Sequence, residues 1–549
     1  MRSRRILKVQ ARARRIPSAA THADGRAPIS GAHCNIPLAL VAGLALGASF
    51  VDFRLFALPW GALVPLIALA EAHPPRRAFG LGCLTGAAGI ALAFSWLVYA
   101  FRVFGGFSTA VAVVLYVAPV AWMALQLGLF TGLVAWVGPL PLGLTAPLVF
   151  TAVEFVFPSL FPWRLAHSQY RLPVLLQTGE LTGPSLLGFA MVWTSAGMLA
   201  ALRHAGGGDG TPDRSARGRT GWATIVAPVL LLLMLTTYGS WRLTAVRAAR
   251  AQAPVLRVGM VQGNVGVARK EDRSFFTRNI EDYRGLSRSI ARDVDLLIWP
   301  ETVVQHHLPI DQPRLTANES PFPDTPRPLV FGGLGIDERR GSERLFNSAF
   351  LLREDGLIAG RYDKHVLVPF GEYLPFAERW PRLHRFSPAT GNFTAGTATT
   401  LLPVSPTARL APLICYEDVI PGPAREAVSS GATLLLNLTN DAWYGDSAEP
   451  VQHQALAVWR AVENRRDLLR STNTGLTSVI SATGEVLGEL PTFEPATLTT
   501  EVRLLTDRTV YGAVGDLFSW VVVAALVAVL LRRHRALAAQ SRARHRPAK

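Results

Sequence analysis

The chain has 549 residues, 50% of them hydrophobic, a mean hydropathy of +0.26 and a formal net charge of +16. That apolar content excludes an ordinary soluble domain and points to an integral membrane protein of several parts. The basic charge is not a nucleic-acid footprint: no stacking motif or recognition module accompanies it, and much of it sits at the two ends beside apolar segments.

Residues 1–35 form a basic tail with Arg2, Arg4, Arg5, Lys8, Arg12, Arg14 and Arg15. Its basic stretch is long, and the apolar run after it continues into more apolar runs, unlike a cleavable signal. Apolar segments are predicted at 36–50, 55–70, 79–101, 110–137, 142–157, 174–202 and 222–238, with one more at 514–531 before a basic tail at 532–549. Several exceed the ~20 residues a spanning helix needs. The pattern predicts a membrane bundle of about seven helices over 36–240 and one closing span. With about eight spans both basic ends share a side, as do the loops at Arg76-Arg77 and 203–219, and that side is cytoplasmic. Arg242, Arg247 and Arg250 violate the rule locally. Gly206-Gly207-Gly208-Asp209-Gly210 reads as a flexible loop. Glu154, His167, Gln169 and Glu180 lie in or beside spans, as functional groups or as helix–helix hydrogen-bond partners.

From 254 to 503 the character changes. Strands are predicted at 255–262, 295–299, 328–333, 348–352, 411–414 and 433–437, and helical spacing at 454–464. Apolar strands alternating with helices indicate an α/β domain with covered sheets. Three motifs follow strand ends: Trp299-Pro300-Glu301-Thr302, then Tyr362-Asp363-Lys364-His365 running into Val368-Pro369-Phe370-Gly371-Glu372, then Ile414-Cys415-Tyr416-Glu417-Asp418. A carboxylate, an ammonium and a thiol are the parts of an acyl-transfer site: nucleophile, proton carrier and oxyanion partner. The other cysteines, Cys34 and Cys83, lie at the first apolar segment and inside a later one, so no disulfide framework is expected. No metal cluster or phosphate-cradling loop is apparent, and neither metal nor cofactor is expected.

The order Glu301, Lys364, Cys415 with these flanks resembles the nitrilase, or carbon–nitrogen hydrolase, superfamily over 254–503. Within it, Val368 to Glu372, Cys415-Tyr416-Glu417, Asn440-Asp441-Ala442-Trp443-Tyr444 and Arg460-Ala461-Val462-Glu463-Asn464-Arg465 resemble the apolipoprotein N-acyltransferases, as do Phe161-Pro162-Trp163 and the plan of bundle, catalytic domain and closing span. The resemblance implies a multi-span α-helical bundle plus a four-layer α-β-β-α sandwich. It implies transfer of a fatty acyl chain from a phospholipid, through a Cys415 thioester, to the α-amine of an S-diacylglyceryl cysteine on an apolipoprotein. Glu301 would carry protons, Lys364 and the backbone N–H of Tyr416 would hold the oxyanion, and Lys364 would lower the thiol pKa. Glu372 would stand beside Lys364, and Glu417 would hold the nucleophile turn. Trp380 and Phe386, with Leu383 and Phe393, form either a loop tucked into the core or an amphipathic lid on the membrane; Trp443 and Tyr444 are candidates for the same cleft. The expected place is the bacterial cytoplasmic membrane with the catalytic domain outside. A membrane-tethered amidase or nitrilase using water is the alternative, and a non-catalytic transporter or scaffold a third reading.

Overall fold

The chain's fold is given by a computed structural model, which describes residues 32–544 apart from 104, 160, 206–213, 340–342, 378, 381 and 383–390. Most of the N-terminal basic tail, the glycine loop at 206–210, Leu383 and Phe386 therefore lie outside the described residues.

Small residues set the first helix contacts. A side chain at Gly43 of α1 (Ala32–Val51) would lie 2.2 Å from the carbonyl of Thr85, and one at Gly47 would lie 2.5 Å from that of Gly89. Glycine is what lets α1 meet α3 (Pro75–Ala93) backbone to backbone. Between them runs α2 (Leu58–Ala72). The predicted run at 79–101 is not one rod: α3 and α4 (Leu97–Val103) are bent by 56° at a break that holds Trp96. Then come α5 (Thr109–Val137) and α6 (Thr145–Val156). The run at 174–202 also splits, into α7 (Pro173–Leu176), α8 (Gly179–Thr182) and α9 (Ser185–Ala205), because Gly183 takes φ +61° before Pro184. Helix α10 (Arg214–Gln252) continues well beyond its apolar stretch. Among the described residues, α5, α9, α10 and the last helix are long and apolar enough to cross a membrane, the α3–α4 pair is a bent fifth candidate, and α1, α2 and α6 hold shorter apolar helices.

The α/β half begins where α10 ends. Strand β1 (Val255–Gln262) leads, after the short helix α11 (Val267–Glu271), into α12 (Phe276–Ile290), β2 (Leu296–Ile298), β3 (Val304–Pro309), β4 (Leu329–Asp337), β5 (Arg344–Leu352) and β6 (Ile358–Asp363). There follow β7 (Leu402–Pro403), β8 (Arg409–Ile414), α13 (Pro421–Ser429), β9 (Leu434–Thr439), α14 (Glu449–Asn464), β10 (Leu468–Thr472), β11 (Ser478–Ile480), β12 (Val486–Glu489) and β13 (Ala496–Arg503). One sheet has the order β13-β1-β2-β4-β5-β6 with β3 on β4, and the other β12-β11-β10-β9-β8-β7. Leu256, Val258, Met260 and Ile298 of the first face Leu410, Leu434, Leu436 and Leu469 of the second across one core. Helix α12 covers the outside of the first sheet through Tyr283 and Ile290, while α13 and α14 cover the second. The layers are α-β-β-α. Every residue of β9 is buried, as a strand covered on both faces requires.

Helix α14 lies between its sheet and the bundle, so the core of that layer runs on into Leu63, Val149, Met191 and, in the closing helix α16 (Leu517–Arg544), Val522 and Leu526. The short α15 (Val510–Val514) precedes it. Gln452 of α14 pins the halves together: it donates to the carbonyls of Phe50 (2.9 Å) and Ala93 (2.8 Å) and accepts from the Trp96 indole (2.9 Å).

Candidate active site

Three strand ends deliver the motif residues to one place. Glu301 follows β2 through Trp299 and Pro300 and is 8% exposed; Lys364 follows β6 and is 1% exposed. Cys415 follows β8 with φ +52°, a left-handed conformation that costs a β-carbon-bearing residue roughly 1–3 kcal/mol and persists only where the surroundings hold it. The holder is Glu417. Its fully buried carboxylate accepts from the N–H of Ile414 (2.8 Å), His365 (2.7 Å) and Val366 (3.0 Å) and from the Tyr362 hydroxyl (2.9 Å), tying the nucleophile turn to the loop that carries Lys364.

The Lys364 ammonium stands 2.7 Å from a Glu372 oxygen and 4.0 Å from one of Glu301. Asn347 on β5 donates to both carboxylates, at 2.8 Å to Glu301 and 2.9 Å to Glu372, and keeps the two acids from drifting together. Burial pulls the Lys364 pKa down, but the carboxylates of Glu372 and Glu301 outweigh it, so the group stays an ammonium. Burial pushes Glu301 up against the pull of Lys364. Lys364 does lower the Cys415 thiol, as expected, but other causes outweigh it. Burial and the Glu301 charge raise that thiol well above its usual range; Lys364 and a hydrogen bond from Thr439 oppose them without winning. That direction favours the protonated thiol at rest.

Cys415 opens into a narrow cleft lined mainly by aromatic side chains. Trp96, Phe161 and Trp163 of the membrane half form one wall, with Tyr416, Tyr444 and Leu456 opposite. The rings interlock: Trp96 meets Phe161 at 5.6 Å and Tyr444 at 5.1 Å, and Phe161 meets Tyr416 at 5.9 Å. Of the predicted cleft residues, Tyr444 is in this wall, whereas the half-buried Trp443 is not among its lining residues. Trp380 is 56% exposed and meets the exposed Phe376 at 6.1 Å with tilted rings, so these two side chains are not tucked into the core. Phe386 lies outside the described residues.

The polar groups beside the spans are occupied by structural bonds. Glu154 accepts from the Leu165 N–H (2.7 Å), His167 from the Arg164 N–H (2.9 Å), and Gln169 from the Trp60 indole (3.0 Å). Glu180 is clamped between Arg242 and Arg465, with the Tyr238 hydroxyl on the same carboxylate. The three arginines that offended the charge rule are paired, Arg242 with Glu180, Arg247 with Glu485 and Arg250 with Asp467.

Two further groups escape sequence reasoning. Lys270 on α11 donates to the Glu301 carbonyl at 3.1 Å; desolvation lowers it to about 8 despite the charges of Glu301 and Cys415. No apolar strand precedes it to flag it. On α14, Glu449 and His453 line the cleft with Cys415, in a helix whose visible periodicity began only at 454.

The carbon–nitrogen hydrolase family model matches residues 257–509, and that of the apolipoprotein N-acyltransferase N-terminal domain matches 42–197. An apolipoprotein N-acyltransferase of Geobacter metallireducens is 33% identical over 91% of this chain and 96% of its own length. One of Azotobacter vinelandii is 33% identical over 86% and 90%. Among solved structures, Nit3 of Saccharomyces cerevisiae, a member of the nitrilase superfamily, covers 45% of this chain and 90% of its own at 16% identity and a TM-score of 0.35.

Proposed function

We infer the chemistry from one premise: the chain belongs to the apolipoprotein N-acyltransferase family. It is an acyltransferase of lipoprotein N-acylation. We propose that Glu301, Lys364 and Cys415 form its catalytic triad. Glu301 takes the thiol proton as sulfur attacks an ester carbonyl of a phospholipid. Lys364 and the Tyr416 N–H stabilise the oxyanion. On collapse the lysophospholipid alkoxide leaves with the proton from Glu301, and a thioester remains. The α-amine of a diacylglyceryl cysteine then attacks the thioester. Glu301 takes a proton from nitrogen and returns it to the departing sulfur, leaving an amide and the free thiol. Glu372 and Asn347 hold Lys364 and Glu301 in register, and Glu417 holds the turn.

The observation that carries this reading is the origin of the cleft wall. Trp96, Phe161 and Trp163 come from the membrane half and face Cys415, so lipid chains rather than soluble amides fit the approach. The exposed Phe370, Phe376 and Trp380 extend an apolar edge beside Glu372 and serve as the lid on the lipid surface. The division proposed is a bundle over 36–240, a catalytic part over 254–503 and a closing span at 514–531. The catalytic part stands outside the bacterial cytoplasmic membrane. Pairing of Arg242, Arg247 and Arg250 with carboxylates removes them from the charge balance that would otherwise oppose this orientation.

The test is intact-mass measurement after incubation with phospholipid. One acyl group on Cys415, discharged by a diacylglyceryl-cysteine peptide to give its N-acyl form, is the expected outcome. Discharge only to water as free fatty acid sinks the transferase reading for this site, and an unacylated Cys415 sinks the thioester. Glu301→Gln is expected to slow thioester formation by about 10²–10⁴.

A further inference from the structure

Across the Cys415 cleft from the triad lies a buried group of charges that the mechanism above does not use. His453 of α14 stands 2.7 Å from an Asp418 oxygen through Nε2, and 3.2 Å from Asp441 and 3.7 Å from Glu449 through Nδ1. Arg470 of β10 closes the group 3.3 Å from Asp418. The charges within it balance in pairs: two cations, Arg470 and an imidazolium that its carboxylates push up to about 10, face Asp418 and Asp441. Glu449 is the surplus acid. It is 3% exposed and its Oε2 has no hydrogen-bond partner; Asp418 and Asp441 each have one such oxygen as well, but of the three acids Glu449 is the one that lines the cleft Cys415 opens into. A buried carboxyl oxygen without a partner costs free energy unless something arrives to meet it.

We propose that Glu449 receives the acceptor's α-amine at the acyl-enzyme and takes the proton that the arriving ammonium must lose before it attacks. This rests on the reading of Cys415 as the acyl carrier. The step balances: Glu449 rests as the acid and gives its proton to water as the ammonium pairs with it; ammonium and carboxylate then become amine and carboxylic acid, the free amine attacks the thioester, and Glu301 handles the second nitrogen proton. The groups facing it favour the neutral pair. Burial and the Asp441 charge hold Glu449 well above the usual carboxylate range, with Asp418 adding to them, while His453 and Arg470 pull the other way; Tyr444 and Cys415 border the same space. Glu449 thus has a proton affinity nearer that of an amine than an exposed glutamate has, and a low-dielectric cleft disfavours a separated ion pair.

The experiment separates the two half-reactions in the full-length enzyme. Glu449→Gln keeps the shape and loses the proton acceptor. Acyl-enzyme formation from phospholipid is expected within a few-fold of the parent. Single-turnover transfer to a diacylglyceryl-cysteine peptide is expected to fall about tenfold at pH 7, where only about a tenth of an α-amine of pKa about 8 is already neutral. The gap closes as pH rises past about 8 and the amine sheds its own proton. Glu449→Asp, with a carboxylate one carbon shorter, restores part of the rate at pH 7 and remains informative if the Gln variant fails to fold. Three results overturn the proposal: transfer by the Gln variant at the parent rate at pH 7, an equal loss at every pH, or one divalent metal ion per chain in the parent that the variant lacks. Failure of the parent to form acyl-enzyme overturns the preceding reading instead.

Discussion

Glu417→Gln isolates the cost of holding the nucleophile in its left-handed turn. One Glu417 oxygen accepts from Tyr362, His365 and Val366, and the other from the Ile414 N–H. A glutamine carbonyl can inherit the three-bond side, with those bonds reduced from charge-assisted to neutral. Its NH2 then faces the Ile414 N–H donor to donor. A buried donor left unpaired costs about 1–3 kcal/mol. Weakening of the other three bonds adds about 1–2 kcal/mol, partly offset because no charge is now buried. Ile414 directly precedes Cys415, so the unpaired donor lies next to the strained residue, and 1–3 kcal/mol there corresponds to roughly a 5- to 150-fold loss of rate. Thioester formation by intact mass is the assay, with alkylation of Cys415 by a small reagent and thermal unfolding as companions. Thioester formation should fall further than alkylation, because alkylation needs a reactive sulfur but no aligned oxyanion donors. Parent-rate thioester formation with an unchanged melting temperature would show that the turn is held by something else.

Lys270 is charged below about pH 8, so its cation supports the thiolate there and not above. Lys270→Met should therefore slow Cys415 alkylation several-fold at pH 7, with the difference from the parent closing above about pH 8; a gap constant with pH refutes the electrostatic role. Glu180→Ala leaves the buried Arg465 with only Gln177 and the Ala482 carbonyl, and should destabilise by about 3 kcal/mol, read as a lower melting temperature in detergent; no shift would mean the clamp contributes nothing. For the orientation, a single cysteine at the exposed Glu354 should react with a membrane-impermeant reagent in intact spheroplasts, and labelling only after permeabilisation inverts it. Cys83→Ala should retain acyl transfer and Cys415→Ala should lose it, measured on the same lipid substrate, because Cys83 sits in α3 against Gly128 of α5.

The parts legible in the sequence were those in which one local rule sufficed. Strand β1 matches its predicted span because its apolar run and its pairing partners agree. Glu301, Lys364 and Cys415 stood out because each follows such a run. The breaks at Trp96 and Gly183 were hidden because hydropathy averages across a bend; the first is tied to α14 through Gln452, and the second turns on the left-handed Gly183 before Pro184. The first turn of α14 carries Glu449, Gln452 and His453, which look solvent-facing in one dimension and are buried by the second half of the molecule. Arg242, Arg247 and Arg250 read as a topological inconsistency because the carboxylates of Glu485 and Asp467 lie more than two hundred positions away in the chain.

The shared core around α14 has a consequence for how the protein is made. Val522 and Leu526, near the end of translation, pack into the same cluster as Leu63 and Val149, which emerge early, and as Trp459 of the catalytic layer. Neither half can finish desolvating its apolar surface until the closing helix has been inserted. A nascent chain stalled before that helix presents exposed apolar side chains both in the bilayer and outside it, which is the state that chaperones and membrane proteases recognise. Completion of the closing helix is thereby coupled to completion of the core that both halves share.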